Sequence, residues 1–203
     1  ASLEYGVKAG LIFCMAREFE PEVNEIVVEK AIKYHNRGVV GIDVAGSESR
    51  TIELSDSLPF YVDLFERAKS AGLGTTIHTG ETTHTSCKGM DSVIENLRPD
   101  RIGHGVQVYK SPEMIQYLID KDVALELCPT SNWLTNAIPN RDEHPFRQLL
   151  SKGVPLSLNT DDPGIFGIDL NGECEFVMKR LGVTEEELKK IFQMAVGYGY
   201  IPK

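Results

Sequence analysis

Two histidines and three carboxylates in this 203-residue sequence have the types and spacing for metal-assisted hydrolysis. His78 and Asp161 offer the nitrogen and carboxylate oxygen that a catalytic zinc takes while keeping one position for water. Water in that position has its pKa lowered to about 7. A second histidine, His104, could orient that water or take its proton. Glu81, just beyond His78, could be kept protonated by burial and act as the acid. Asp162 follows Asp161 directly, so both serve one site only if the chain kinks there, and Pro163 suits a turn. Each feature also has a bland reading when taken singly. A histidine ending a strand is often structural, Asp-Asp-Pro often opens a helix, Glu81 would be solvated, and Gly46 would be a turn glycine. His35, His84 and His144 lie in helical or loop contexts and receive no role. All of these bland readings would have to hold at once at successive strand ends, and a shared site is the simpler expectation.

The elements that must position these groups alternate. Six short apolar or β-branched segments are each followed by a helical pattern or a turn. The strands are expected at Leu11–Met15, Val39–Val44, Gly74–His78, Arg101–His104, Val123–Leu127 and Pro155–Asn159. The first helix opens at Pro21, with Val23, Ile26, Val27 and Ala31 on its inner face, and stops at Gly38. A second helix, Pro59–Ser70, has Tyr61, Leu64, Phe65 and Ala68 as its stripe and ends at Ala71-Gly72. Others are expected near Met90–Leu97, after Ser111-Pro112 with Met114, Ile115, Leu118 and Ile119 inward, and near Pro145–Ser151. After a loop, Thr184 to Glu187 reads as a capping box for a last helix with Leu188, Ile191 and Phe192 inward. This alternation means a parallel sheet covered by helices. Without a linker or composition break, residues 1–203 read as a single domain. An open doubly wound sheet and a (β/α)8 barrel compete. No GxGxxG follows the first strand, and only a barrel gathers all the polar strand ends on one face.

Composition narrows the partners. Thirty acids against twenty-one Lys and Arg give a net charge of −9 with no basic cluster, which argues against nucleic acid. No apolar run reaches the ~20 residues of a membrane span, and no basic-then-apolar leader opens the chain. Cys14, Cys87, Cys128 and Cys174 stand far apart, as reduced thiols in a cytoplasmic protein would. Cys14 and Cys128 are expected to be small core residues.

Four ordered motifs then resemble the adenosine deaminase family of metal-dependent purine deaminases. They are Gly41-Ile42-Asp43-Val44-Ala45-Gly46, His78-Thr79-Gly80-Glu81, Arg101-Ile102-Gly103-His104-Gly105 and Ser157-Leu158-Asn159-Thr160-Asp161-Asp162-Pro163. Leu127-Cys128-Pro129 with Ser131-Asn132 resembles the segment between the last two. The resemblance runs from about residue 11 to the final helix. It implies a zinc-containing (β/α)8 barrel that replaces the 6-amino group of a purine nucleoside with oxygen. His78 and Asp161 would then be zinc ligands. Glu81 would protonate ring N1, and His104 would orient or deprotonate the attacking water. Asp162 would bond N7, and the Gly46 N–H would contact N3. Asp161, beside the metal, counts with Glu81 and His104 as catalytic. The PCxxC pattern of the cytidine-type zinc deaminases is absent.

The sequence departs from the family at its front. The family opens with a strand carrying His-x-His, two further zinc ligands, and a second strand follows it. This chain has no His-x-His and offers six strands where a closed barrel needs eight, so it reads as barrel strands 3–8, the C-terminal two-thirds of a deaminase. Two edges would be left open, which suits a complementing N-terminal chain or self-association. Ser47 stands where many relatives carry an acid, which bears on substrate preference. A truncated barrel that binds a nucleoside or a partner without turnover, and another metal-dependent amidohydrolase, are the competing functions. Fe²⁺ or Co²⁺ would suit the same ligands as Zn²⁺.

Overall fold

The computed structural model describes residues 2–50, 52 and 55–201. Its strands are β1 (Leu11–Ala16), β2 (Val39–Ala45), β3 (Gly74–Thr79), β4 (Arg101–His104), β5 (Ala124–Leu127) and β6 (Leu156–Leu158). Its helices are α1 (Ser2–Tyr5), α2 (Pro21–Lys33), α3 (Leu58–Ser70), α4 (Cys87–Leu97), α5 (Pro112–Lys121), α6 (Pro129–Leu134), α7 (Phe146–Ser151), α8 (Pro163–Phe166), α9 (Leu170–Leu181) and α10 (Glu185–Tyr198). The strands form one sheet in the order β1-β2-β3-β4-β5-β6, and every pairing is parallel. A doubly wound sheet reverses its strand order partway. This order never reverses, so every crossover has the same sense and the sheet is an arc of a (β/α)8 barrel.

Side chains alternate across the arc, as the strand period of two requires. Ile42, Val44, Ile77, Ile102, Leu125 and Leu127 are buried on the helix side. Asp43, Thr76, His78, Gly103 and Glu126 instead line the concave side. Hydrophobic burial therefore lies between strands and helices, and the polar residues are left to the interior. One apolar cluster joins Met15, Ile42 and Val44 to Leu64, Phe65 and Ala68. The other joins Ile102, Leu125 and Leu156 to Leu118, Phe146, Val177 and Ile191.

Local signals set several boundaries. Ser111 Oγ accepts from the Met114 N–H at 3.1 Å, capping α5 ahead of Pro112. Thr184 and Glu187 form the reciprocal capping box of α10. All four stripe residues of α3 are buried. Elsewhere the expected faces differ. On α2 the buried residues are Asn24, Val28 and Ala31, while Val23 and Ile26 are exposed beside a β1 whose Leu11 is 62% exposed. Phe192 is also exposed. The stretch expected to be a loop before Thr184 contains α8 and α9, and the Cys128-Pro129 stop opens α6. Cys128 is buried as expected, but Cys14 is exposed.

Tyr200 closes the floor. Its hydroxyl donates to the Thr75 carbonyl at 2.6 Å, and its ring covers Gly41 and Gly74, where any Cβ would strike it. The Arg101 guanidinium stacks on that ring at 3.8 Å and pairs with Glu126 at 2.8 Å.

Candidate active site

The C-terminal ends of the strands surround a cavity of about 440 Å³ lined by Asp43, His78, Gly103, His104, Glu126 and Asp161 among others. Parallel register makes this convergence automatic. His78 is level with Gly103, and Thr79 with His104, so the two imidazoles share one rim with ring centroids 5.1 Å apart. One ligand atom each from His78, His104 and Asp161 lies within 4.8 Å of the others.

Asp43 fixes the His78 ring. Its two carboxylate oxygens lie 3.1 and 3.0 Å from Nδ1. Nδ1–H therefore donates to Asp43, and the Nε2 lone pair is left for the site, which is the tautomer that metal-binding histidines take. Burial works against a charged imidazole here, but the hydrogen bond and charge of Asp43 outweigh it and hold His78 up at about 9. Burial likewise works against the Asp43 carboxylate, yet the same partner holds its pKa below the usual value. Gly103 makes room for this pair, since a Cβ there would lie 2.8 Å from Nδ1 of His78.

Two site residues occupy the left-handed region that L side chains rarely adopt, His104 at φ 60° and Asp161 at φ 62°. Such conformations cost about 1–3 kcal/mol each and persist only where the surroundings hold them. The strained Asp161 is the kink that two successive aspartates demand. Ser131 Oγ donates to its Oδ2 at 2.6 Å. Gly80, φ 68°, turns the chain out of β3, where a Cβ would lie 2.5 Å from Met90 Sδ.

Glu81 is held at both ends. Its side chain accepts from Thr135 Oγ1 at 2.8 Å and from Asn132 Nδ2 at 3.4 Å. Its backbone N–H donates to Glu48 Oε1 at 3.0 Å, and the Thr82 N–H donates to Glu48 Oε2 at 2.7 Å. The buried Glu48 thus braces the loop that presents Glu81. His104 Nε2 is 3.7 Å from both Glu81 Oε2 and Asp161 Oδ2. Burial lowers the pKa of His104, so a neutral ring faces these carboxylates.

The structure therefore gathers His78, His104, Glu81 and Asp161. Asp162 and Gly46 are exposed and do not line the cavity. Beside Gly46, at φ 100°, lies the Glu18 carboxylate, whose Oε1 accepts from the Ser47 N–H at 2.6 Å. Sequence reasoning gave no role to Glu48, Glu126 or His144, and none to Asp43 beyond its place at a strand end. Asp43 carried a signal, as a charge within an otherwise apolar strand. His144 carried none, since only its contacts reveal it.

The donor set fits a divalent cation: an imidazole whose Nε2 proton a cation would displace, an aspartate oxygen, and an acidic surround of Asp43, Glu81 and Glu126. His78 and Asp161 supply two ligands, whereas catalytic zinc takes three from protein.

Comparison with known proteins bears on family and fold. The family model described as adenosine deaminase matches residues 1–203. The chain is 36% identical over 200 residues to an adenosine deaminase of Xenopus tropicalis, covering 98% of itself and 54% of that protein. It superposes on the N6-mAMP deaminase of Arabidopsis with a TM-score of 0.82 at 27% identity, covering 96% of itself and 55% of that chain. In fold it also resembles the adenine deaminase of Arthrobacter aurescens, at a TM-score of 0.85 and 23% identity, covering 100% of itself and 59% of that chain. It thus spans a little over half the length of these relatives. Among the described residues, no helix is long and apolar enough to cross a membrane.

Proposed function

This chain belongs to the adenosine deaminase family, and from that premise we propose that its protein hydrolyses adenosine, or a related 6-aminopurine nucleoside, to the 6-oxo product and ammonia. The convergence of His78, His104, Asp161 and Glu81 on one rim carries this reading. His78 and Asp161 would hold a zinc ion, which would supply the Lewis acidity that lowers the pKa of water to about 7. Glu81 gives a proton to ring N1 as the water oxygen bonds to C6, so the ring becomes tetrahedral there without carrying an anion. The C6–N bond then breaks as the amine takes the proton that the attacking water gave up and leaves as ammonia, the C6 hydroxyl returns a proton to Glu81, and N1 keeps its proton in the 6-oxo product. His104 faces the water, Asp162 receives N7, and the Gly46 N–H meets N3.

The exposed Leu11 and Ile12 of β1, with Val23 and Ile26 of α2, form an apolar edge that further strands carrying the remaining ligands would cover. Glu18, whose Oε1 accepts from the Ser47 N–H at 2.6 Å, sets a carboxylate beside Gly46 and Ser47. The N6-mAMP deaminase resemblance supports a site tolerant of larger 6-aminopurine substrates.

The test is metal analysis and intact mass on the purified protein, followed by deamination of adenosine against a panel of phosphoesters and cyclic amides. About one zinc per complete barrel with adenosine turnover supports the reading. Nucleoside binding with no metal and no turnover would make this a binding protein. Turnover of the panel alone would make it a different amidohydrolase.

A further inference from the structure

A chain of hydrogen bonds leads away from His104 into the protein, and its direction is set by a backbone amide. The Phe146 N–H donates to His144 Nδ1 at 3.1 Å, and a backbone N–H can only donate. His144 Nδ1 is therefore a lone pair, and the proton of the neutral ring sits on Nε2. That nitrogen lies 3.1 Å from Asn132 Oδ1, which accepts from it. The Asn132 amide nitrogen then faces His104 and donates to Nδ1 at 3.1 Å. The same orientation lets Asn132 Nδ2 donate to Glu81 Oε1 at 3.4 Å. Asn132 is 0% exposed, and His104 and His144 are 3% exposed, so no bulk water competes for these positions. With Nδ1 of His104 occupied as an acceptor, the proton of its neutral ring must sit on Nε2, the atom that faces Glu81 and Asp161.

We propose that Asn132 and His144 are positioning residues that hold His104 in its Nε2–H tautomer, so that His104 offers the site an N–H donor. A protonated Nε2 has no lone pair. His104 is then excluded as a third metal ligand, although its distance alone would admit it. It is also excluded as the base for the attacking water, whose proton must pass to a carboxylate. Of the two roles open to His104, orienting or deprotonating the water, this selects the first. That last step rests on the deaminase reading, whereas the tautomer does not.

The test is long-range ¹H–¹⁵N correlation NMR of the intact protein carrying ¹⁵N-labelled histidine, recorded without substrate. His104 and His144 resonances are assigned by difference with His104→Gln and His144→Leu. The expected spectrum shows both rings protonated on Nε2. Asn132→Asp puts an acceptor against His104 Nδ1 and should move the proton to Nδ1, with kcat falling on the order of 10²–10⁴-fold, as a wrong tautomer does in the Ser-His-Asp triad. His144→Leu should mix the two tautomers of His104. His144→Gln, whose amide donates to Asn132 in place of the ring, should restore the parent pattern. A parent His104 protonated on Nδ1 would overturn the proposal, as would a pattern that His144→Leu leaves unchanged. The parent pattern in a protein without purine turnover would overturn only the function proposed above.

Discussion

Replacing Gly103 by alanine tests how the site is built, because the only new atom is a methyl aimed at the His78 ring. That Cβ would lie 2.8 Å from Nδ1, 2.9 Å from Cγ and 3.1 Å from Cε1 of His78, against the 3.4 Å where ordinary contact begins. The ring must therefore give way by roughly 0.6 Å, in a core whose packing is close. Asp43 grips the same ring at 3.0 Å, and a displacement of that size uses up the margin before a hydrogen bond is lost at about 3.5 Å. Overpacking costs about 1–3 kcal/mol, and loss of a charge-assisted hydrogen bond costs about 1.5–3 kcal/mol. A combined loss of about 3 kcal/mol lowers Tm by roughly 6–12 °C in a chain of this size. Zinc affinity should fall about 10–100-fold, the usual effect of disturbing the partner that orients a metal-binding histidine. Thermal unfolding and competition for zinc with a chromophoric chelator measure the two effects. A variant whose Tm lies within about 2 °C of the parent, with unchanged zinc affinity, would show that Gly103 does not set the His78 ring.

Other perturbations reach different parts of the structure. Glu48→Gln sets an amide NH₂ against a backbone N–H that now donates to carboxylate, and should cost about 2 kcal/mol in chemical denaturation. With the Glu81 loop loosened, kcat should fall about 10–100-fold. His144 is pushed down to about 3 by burial, then by the nearby Arg141 charge and the neighbouring His104 ring. Its folded pKa is therefore below the unfolded value of about 6.5, so its contribution is complete above that pH and lost as pH falls toward 3. Unfolding free energy should drop by about 2 kcal/mol from this residue between pH 7 and pH 5, and His144→Gln should flatten that part of the profile. Tyr200→Ala removes the ring under Arg101 and over Gly74 and should cost about 3 kcal/mol. Its denaturation midpoint should fall with little change in zinc affinity, since the floor lies at the other end of the strands from His78.

Much of this architecture was legible in the sequence because its causes are local. β-branched runs interrupted by glycine and proline gave six strands near their observed bounds. Ser111-Pro112 and Thr184 with Glu187 announced helix starts, because a cap needs only residues three apart. Polar groups at strand ends marked His78, His104 and Asp161, since burying them among apolar residues is costly without a purpose.

Tertiary structure decided what depends on a partner distant in the chain. Period tells that α2 has two faces, but which one is buried depends on what lies against it, and there Asn24 and Val28 were chosen over Val23 and Ile26. Strand order separates a barrel from an open sheet, and no residue spacing encodes it. The tautomers of His78 and His104 follow from Asp43, Asn132 and the Phe146 amide, contacts spanning 2 to 35 positions. A sequence names the groups able to carry a proton, whereas the nitrogen that carries it is chosen by the neighbour the fold brings alongside.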